Sequence, residues 1–149
     1  MSDESPTPET MTKEQFDDWN NSVIKDFRAN AGQVTGQFAG APMILVHTKG
    51  ARTGNPRVSP MVYLRDGERY LVFASKGGSD TNPAWYHNLV SAPTARIEVG
   101  PETFDVKVEE LHGEERDRLY AKQAGIMPNF AEYQAKTKRV IPVVALTRI

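Results

Sequence analysis

The chain contains no cysteine among its 149 residues. This absence excludes a disulfide framework, thiolate catalysis and thiolate metal ligation, and nothing in the sequence then requires an oxidising compartment. The three histidines, His47, His87 and His112, are scattered along the chain. No pair of them has the i, i+4 spacing of a metal-ligand set. The sequence therefore predicts no metal site.

Long apolar runs and a strong charge of one sign are also missing. No run approaches the ~20 apolar residues that span a bilayer, and a formal net charge of -1 gives no overall attraction to nucleic acid. Residues 1–11 are acidic and contain proline, without the basic start and apolar middle of a secretory signal. We interpret them as a disordered acidic tail on a cytoplasmic protein. Serine-hydrolase, P-loop and Rossmann motifs are absent as well.

The remaining chain, residues 12–149, fits one domain that begins with an amphipathic helix. Thr12 and Gln15 have the spacing of a capping box, and Met11 and Phe16 that of a hydrophobic staple. Apolar residues then recur with a period of 3.6 at Phe16, Trp19, Val23, Ile24 and Phe27. We expect this face to pack on the domain. A helix that anchors a protein at the membrane interface would need a basic polar face. The polar face of this helix has more acidic than basic residues, so at most a weak association with a membrane surface is expected.

Strands and turns dominate the rest of the chain. Residues 42–47 predict a buried strand, and Asp66-Gly67 between residues 58–65 and 68–75 predicts a two-residue hairpin. With sequential antiparallel pairs and no βαβ repeat, the pattern indicates a small antiparallel barrel with packed helices, a mainly β or α+β class. Three further helices are predicted: one over Pro83–Val90 with Asn82 as N-cap, one from about Glu114 to Ala124 ended by Gly125, and a short one after Pro128. A second hairpin is predicted at Gly100-Pro101, and a last strand over Ile141–Leu146. Pro142 indicates either that this strand lies at the sheet edge or that the proline stands at its start.

Glycines and cations cluster in two segments, Gly50–Pro60 and Ala74–Gly78. Arg52, Arg57 and Lys76 are donors suited to an oxyanion, and the glycines let the backbone approach a ligand. If the predicted hairpin turn is tight, Arg57 and Lys76 lie at equal distances from it on antiparallel strands and form one site. A basic loop that is merely solvated is the alternative interpretation.

The segment NPAWYHN, residues 82–88, follows the second cluster. Trp85 is most simply a core residue, but an aromatic beside an anion loop also covers a planar ring, and Asn82 or Asn88 can hydrogen-bond a ring edge or a phosphate. Single-stranded nucleic acid is disfavoured as a partner, because the aromatics are few and do not alternate with cations along a groove.

The strings GARTGNPRVSPMVYLRDGERY, ASKGG, NPAWYHNL and AEYQAKTKRVIPVVAL together resemble the deazaflavin-dependent nitroreductase family, actinobacterial reductases that use coenzyme F420, an 8-hydroxy-5-deazaflavin. The resemblance covers most of the chain from about Pro42. It implies a split β-barrel that transfers a hydride from reduced coenzyme F420 to a quinone, an enone or lactone, or a nitro acceptor. A split barrel that uses flavin mononucleotide (FMN) and a non-catalytic F420 carrier are the alternatives. Related barrels pair through a sheet face, so a homodimer is also expected.

The resemblance also implies the site residues. Ser75 and Tyr133 are candidates for orienting the acceptor or relaying a proton. Two pocket tyrosines of the family's best-known nitroreducing member are replaced by Met127 and Phe130, so we expect these and Tyr133 to form a more apolar pocket that favours quinones or enones over nitroimidazoles. Cofactor contacts are expected from Arg52, Thr53, Gly54, Asn55, Pro56, Arg57, Ser59, Pro60, Val62, Ala74, Ser75, Lys76, Gly77, Gly78, Trp85, Tyr86 and Asn88.

Overall fold

Seven strands form a single antiparallel sheet in a computed structural model that describes residues 12–35, 40–50 and 53–149. The predicted tail at residues 1–11, which includes Met11 of the predicted staple, and Arg52 lie outside the described residues. The strands are β1 (Met43–Lys49), β2 (Pro56–Val62), β3 (Leu64–Asp66), β4 (Arg69–Phe73), β5 (Thr94–Val99), β6 (Glu102–Leu111) and β7 (Val143–Arg148).

The strand order, β2-β1-β5-β6-β7-β4-β3, explains why the sheet curls. Only Tyr63 separates β2 from β3, yet these two strands lie at opposite edges of the sheet. The chain therefore passes directly from one edge strand to the other, which requires the sheet to curl until its two edges lie close together. The predicted antiparallel barrel is confirmed, and closure in this manner removes most of the exposed sheet edge.

Within the described residues, four helices pack against this sheet: α1 (Lys13–Ala29), α2 (Ala84–Val90), α3 (Gly113–Ile126) and α4 (Asn129–Lys136). The predicted capping box at the start of α1 is confirmed, since the Gln15 amide donates to Thr12 Oγ1 at 3.1 Å and the Thr12 amide to Gln15 Oε1 at 3.0 Å. The apolar face of α1 packs on the domain as expected, where Val23 and Phe27 are buried against Leu45.

Alternating side chains divide the core into two main clusters. The inner cluster lies on the concave face, because it joins residues from five strands, and α2 contributes Leu89 to it. The outer cluster joins β4 and β7 to α3 and α4. Its buried members are Leu64, Leu71, Phe73, Leu111, Leu119, Tyr120, Phe130, Ile141, Val143 and Ala145, whereas the inner cluster contains Ile44, Val46, Tyr70, Val72, Leu89, Ile97, Phe104, Val106, Val144 and Leu146.

The β3–β4 hairpin turns one residue later than predicted. Asp66 pairs with Arg69, so Gly67 and Glu68 form the turn, with Gly67 at φ 59°. An Arg69 Nη2 to Asp66 Oδ2 contact of 2.6 Å holds that pair together. The ladder ends at Leu64, beyond which the chain pairs with β1 instead. Hairpin register therefore does not place Arg57 next to Lys76, and that part of the sequence argument is wrong.

Two helix boundaries also differ from the predictions. Pro83, not Asn82, is the N-cap of α2, because the Asn82 side chain instead accepts a hydrogen bond of 2.7 Å from Arg139. Helix α3 continues through Gly125 to Ile126, and the Met127 amide still bonds to the Gln123 carbonyl at 2.8 Å. Gly125 is thus an interior helical residue, since the last turn completes its hydrogen bonds without a left-handed residue.

Pro142 immediately precedes β7, which lies between β6 and β4. The proline therefore marks the start of a central strand and not an edge strand. Its carbonyl accepts a hydrogen bond of 3.0 Å from the Ala74 amide, which extends the β4–β7 pairing to the end of β4.

Candidate functional site

The loop that connects β1 to β2 is held by its own backbone. The Gly50 amide donates to the Asn55 carbonyl and the Gly54 amide to the Gly50 carbonyl, each at 2.8 Å. A Cβ on Gly50 would lie 2.9 Å from Thr53 Oγ1, so Gly50 leaves room for the Thr53 side chain in its present orientation. Thr53, Gly54 and Asn55 are all exposed. The loop therefore presents polar groups to solvent from a defined backbone.

Arg57 follows this loop on β2, opposite Thr48 of β1. Its side chain is exposed and forms no hydrogen bond or ion pair with another described residue. A guanidinium without an internal partner remains available to bind a phosphate or carboxylate in two-pronged fashion. Arg57 is thus a cation suited to an external anion.

A short 3-10 turn, which we call the Ser75–Gly78 turn, follows β4. Ser75 has right-handed helical angles, φ -74° and ψ -40°, while Lys76 has φ 46°. Consecutive right- and left-handed residues aim neighbouring N–H groups at one point and create an anion-binding concavity, called a nest. The amides of Ser75, Lys76 and Gly77 donate to no other described residue. The turn therefore offers three free N–H groups beside the exposed Lys76 side chain.

Gly78 brings this turn into direct contact with α4. A Cβ at this position would lie 2.8 Å from the Tyr133 carbonyl oxygen, closer than real Cβ atoms pack, and 3.2 Å from Lys136 Cβ, which is a tight contact. Lys136 Nζ also donates to the Gly77 carbonyl at 3.3 Å. The absence of a side chain on Gly78 therefore places the anion-binding turn against Tyr133.

The two predicted catalytic hydroxyls lie on these contacting elements. Ser75 is half-buried, and its hydroxyl bonds to no other described residue. The half-buried Tyr133 accepts a hydrogen bond of 2.8 Å at Oη from Asn129 Nδ2. Because that donor occupies one side of the phenol oxygen, the Tyr133 proton is free to point to another acceptor.

The predicted pocket residues differ in exposure. Met127 and Tyr133 are half-buried and pack against the outer cluster, as does Val62 of β2. Phe130 is only 4% exposed and lies in that cluster, with its ring centre 5.3 Å from that of Tyr133. Met127, Tyr133 and Val62 thus border the same apolar cluster, in which Phe130 is too buried to offer a surface that a substrate touches.

Other predicted contacts lie on different surfaces. Ser59 is opposite Val46 of the inner cluster, whereas Pro60 is opposite Leu45 on the other face of the sheet. Adjacent strand residues point to opposite faces, so Ser59 and Pro60 do not line one surface. Pro56 is exposed at the start of β2, and Ala74 is fully buried.

The aromatic residues of α2 pack on the inner cluster and not with Tyr133. Tyr86 donates its hydroxyl to Glu110, with distances of 2.9 and 2.8 Å to the two carboxylate oxygens. Burial, together with this hydrogen bond, raises the pKa of Tyr86 to about 12. Trp85 is half-buried and Asn88 buried. The predicted cofactor contacts on α2 therefore lie at the barrel interior.

Sequence reasoning missed Arg139, which joins the Ser75–Gly78 turn to the start of α2. Its Nη2 donates to the Ser75 carbonyl at 2.9 Å, its Nε to the Ser79 carbonyl at 2.8 Å, and its Nη1 to Asn82 Oδ1 at 2.7 Å. Burial lowers the pKa of Arg139, but a guanidinium remains protonated in proteins. Arg139 and Ser75 are 64 residues apart, so no local spacing links them.

A shallow cleft of about 230 Å³ lies elsewhere, between the end of α1 and the β5–β6 turn. Its residues include Arg28 and Glu98, which are already paired at 2.7 Å. His47 also contacts Glu98 at 2.6 Å, and the hydrogen bonds with Arg28 and then His47 lower the pKa of Glu98. This cleft carries no unpaired cation among those residues and is separate from the anion-binding turn.

Within the described ranges, no group of three or more histidine or acidic residues is placed to hold a metal ion. The described helices also include none with the length and hydropathy needed to cross a membrane. The site is therefore defined by cations, backbone amides, hydroxyls and apolar side chains.

A curled antiparallel sheet with α3 and α4 on its outer cluster, α2 against its inner cluster and a nest of N–H groups at the end of β4 defines a protein of the split β-barrel class. The profile of the F420H(2)-dependent quinone reductase family matches residues 19–148. The chain belongs to this family.

Individual relatives agree with this assignment. The F420H(2)-dependent quinone reductase Rv1261c of Mycobacterium tuberculosis is 41% identical over 128 residues, which cover 82% of this chain and 85% of the relative. A solved structure of an F420-H2 dependent reductase, FDR-A, is 37% identical with a TM-score of 0.64, covering 70% of this chain and 93% of that one. A solved structure titled as a domain-swapped dimer is 31% identical with a TM-score of 0.66, covering 91% and 99%.

Proposed function

We propose that this protein oxidises reduced coenzyme F420 and passes the electrons to a quinone. The observation that carries the proposal is the close packing of Gly78 against the Tyr133 backbone, since free N–H groups and a cation lie on one element of this contact and a tyrosine that packs on apolar side chains lies on the other. The cofactor choice is supported by membership of the F420H(2)-dependent quinone reductase family. A relative named as a quinone reductase supports the acceptor class.

The described residues fit the anionic tail of coenzyme F420, which carries a phosphate group and carboxylates. We propose that the free amides and Lys76 bind the phosphate, while Arg57 binds a carboxylate of the tail. The three amides and Arg57 have no hydrogen-bond partner among the described residues, and the Lys76 ammonium donates to Thr81 Oγ1 at 3.3 Å, so binding does not first break a strong contact. Arg52 is proposed as a third cation, and the other predicted contacts, including those in the Thr53–Pro56 loop, stay predictions.

When bound, reduced coenzyme F420 supplies a hydride from C5 of its deazaflavin ring. A quinone that accepts this hydride also needs one proton to become a hydroquinone. We propose that Ser75 and Tyr133 orient a quinone oxygen and relay the proton, because both hydroxyls retain hydrogen-bonding capacity. Val62 and Met127 supply apolar surface that would exclude water from the acceptor.

Reconstitution with the pure protein tests this function. We expect reduced coenzyme F420 to bind and a soluble quinone to be reduced, followed by the visible absorbance of the oxidised deazaflavin. The double variant Arg57→Ala with Lys76→Ala should lose most of the affinity, whereas Lys107→Ala removes an exposed cation from β6 and should change little. Equal affinity in both variants would contradict the proposed site.

Two other outcomes separate the alternatives. Tight binding of coenzyme F420 without turnover on quinone, enone and nitro acceptors would show a carrier. Protein purified with stoichiometric FMN would instead show a flavin-dependent barrel. Neither outcome agrees with the proposed quinone reductase.

We also propose a homodimer, because the relative titled as a domain-swapped dimer matches 91% of this chain. Light scattering during size-exclusion chromatography distinguishes the 16.6 kDa monomer from a species of twice that mass. A monomer across the concentration range tested would contradict this part of the proposal.

A further inference from the structure

We propose that Arg139 is a positioning residue that holds the Ser75–Gly78 turn in its anion-binding conformation. The inference rests on the proposed function for its ligand, but its structural part stands on contacts within the chain. Arg139 touches the turn through backbone and side-chain acceptors and does not itself reach the predicted hydroxyls in any described hydrogen bond.

The first argument is the number of acceptors that converge on one guanidinium. Arg139 donates to the carbonyl groups of Ser75, the first residue of the turn, and of Ser79, which follows the turn. It also donates to the Asn82 side chain ahead of α2. The planar fork of arginine fixes the relative positions of all three acceptors. A lysine ammonium has no such fork and cannot reproduce this arrangement.

The second argument is that the turn needs external support. Lys76 has φ 46°, a left-handed conformation that costs a non-glycine residue roughly 1–2 kcal/mol. Strained backbone of this kind persists only when surrounding contacts over-determine it. The Ser75 carbonyl accepts from both the Gly78 amide at 2.9 Å and from Arg139, so the guanidinium binds the group that closes the turn.

The third argument is electrostatic. The hydrogen-bond acceptors of Arg139 are all neutral, and no carboxylate of a described residue forms an ion pair with it, although Asp80 is near enough to interact with its charge. A half-buried cation with neutral partners adds positive potential to the nearby turn. Together with Lys76, this charge favours an anionic ligand over a neutral one.

Arg116 provides a matched control. It is a buried arginine that also binds the connection between α4 and β7. Its Nε and Nη2 donate to the Ile141 carbonyl at 3.0 and 2.8 Å, and its Nη2 donates to Gln134 Oε1 at 2.6 Å. Arg116 makes no described contact with the Ser75–Gly78 turn. Substituting it removes similar hydrogen bonds from the same connection while leaving the turn's own contacts in place.

The experiment compares Arg139→Met, Arg139→Lys and Arg116→Met in two measurements. Amide hydrogen exchange of the cofactor-free protein reports on the turn through the Gly78 and Ser79 amides, which bond to the carbonyls of Ser75 and Lys76. We expect both Arg139 variants to accelerate exchange at these amides relative to the rest of the sheet. Arg116→Met should lower global stability without this local effect.

Titration with reduced coenzyme F420 is the second measurement. We expect Arg139→Met to raise the Kd about tenfold or more, since displacement of a binding group by about 1 Å is costly, and Arg139→Lys to recover only part of the loss. Arg116→Met, measured where it is folded, should bind as the wild type does. If Arg139→Met does not fold, Arg139→Lys supplies the same comparison with its charge retained.

Unchanged exchange at Gly78 and Ser79, or an equal loss of affinity in the Arg116 variant, would overturn the inference. Failure of the wild-type protein to bind coenzyme F420 would instead contradict the proposed function. In that case the exchange measurement still decides whether Arg139 holds the turn.

Discussion

Replacing Gly78 by alanine tests whether close packing against α4 builds the candidate site. The added Cβ would lie 2.8 Å from the Tyr133 carbonyl oxygen and 3.0 Å from its Cα, both backbone atoms that cannot rotate away. Relief of this overlap requires the turn or α4 to move, and overpacking of this kind costs about 1–3 kcal/mol. The left-handed conformation, φ 87°, adds about 1–2 kcal/mol for alanine.

Gly67→Ala is the matched control, because Gly67 has φ 59° and nothing lies within 4 Å of its added Cβ. We expect a loss of about 1–2 kcal/mol in the free energy of unfolding for Gly67→Ala and of about 2–5 kcal/mol for Gly78→Ala. Urea unfolding monitored by tryptophan fluorescence measures both. Gly78→Ala should also weaken coenzyme F420 binding, whereas Gly67→Ala should not.

Equal destabilisation by the two alanine substitutions would refute this reasoning. It would mean that the turn and α4 separate without cost, so that the contact with Tyr133 does not fix the position of the anion-binding amides. Retained affinity in a destabilised Gly78→Ala protein would refute the link between this packing and binding.

Three further predictions concern acid stability, the pocket and the hydroxyl. The hydrogen bond from Arg28 holds the folded-state pKa of Glu98 below the ordinary value of 4.5, so its stabilisation is present above that value and is lost as pH falls through the folded pKa. Urea unfolding between about pH 6 and pH 3 should therefore show a shallower loss of stability towards acid for Glu98→Gln, and an identical slope would contradict this. Met127→Tyr should raise the rate of nitroreduction. Phe130→Tyr should instead lower the free energy of unfolding by about 1–3 kcal/mol, because it buries a hydroxyl. No change in either the nitroreduction assay or the unfolding assay would contradict the assignment of the pocket. Asn129→Ala removes the donor to Tyr133 Oη and should lower kcat for quinone with little change in coenzyme Kd, so unchanged steady-state kinetics would argue against Tyr133 as a proton relay.

Local patterns were enough to predict most elements of the fold. The capping box at Thr12 and the alternating residues of the strands depend on neighbours within a few positions, so the sequence specifies them directly. The family resemblance also led to the split barrel and the coenzyme class, which the family match supports. The end of α3 was misplaced because a glycine only permits a helix to end, and continued hydrogen bonding decides whether it does.

The candidate site was only partly predictable, because its components meet through long-range contacts. Lys76 and Tyr133 were recognised as separate residues, but their relation depends on the missing Cβ of Gly78. The predicted hairpin register placed Arg57 opposite Lys76. In the structure the chain before Tyr63 pairs with β1 and not with β4, so this register does not exist.

By itself, the sequence determined the chemistry available to this protein: cations, glycines beside them, hydroxyls and no thiol. Tertiary structure alone decided which of these groups act together. Arg139 became part of the site because the antiparallel pairing of β7 with β4 brought the chain before β7 against the end of β4. A hydrogen bond between residues 64 positions apart leaves no periodic signal, since its geometry is set by the packing of every element between them.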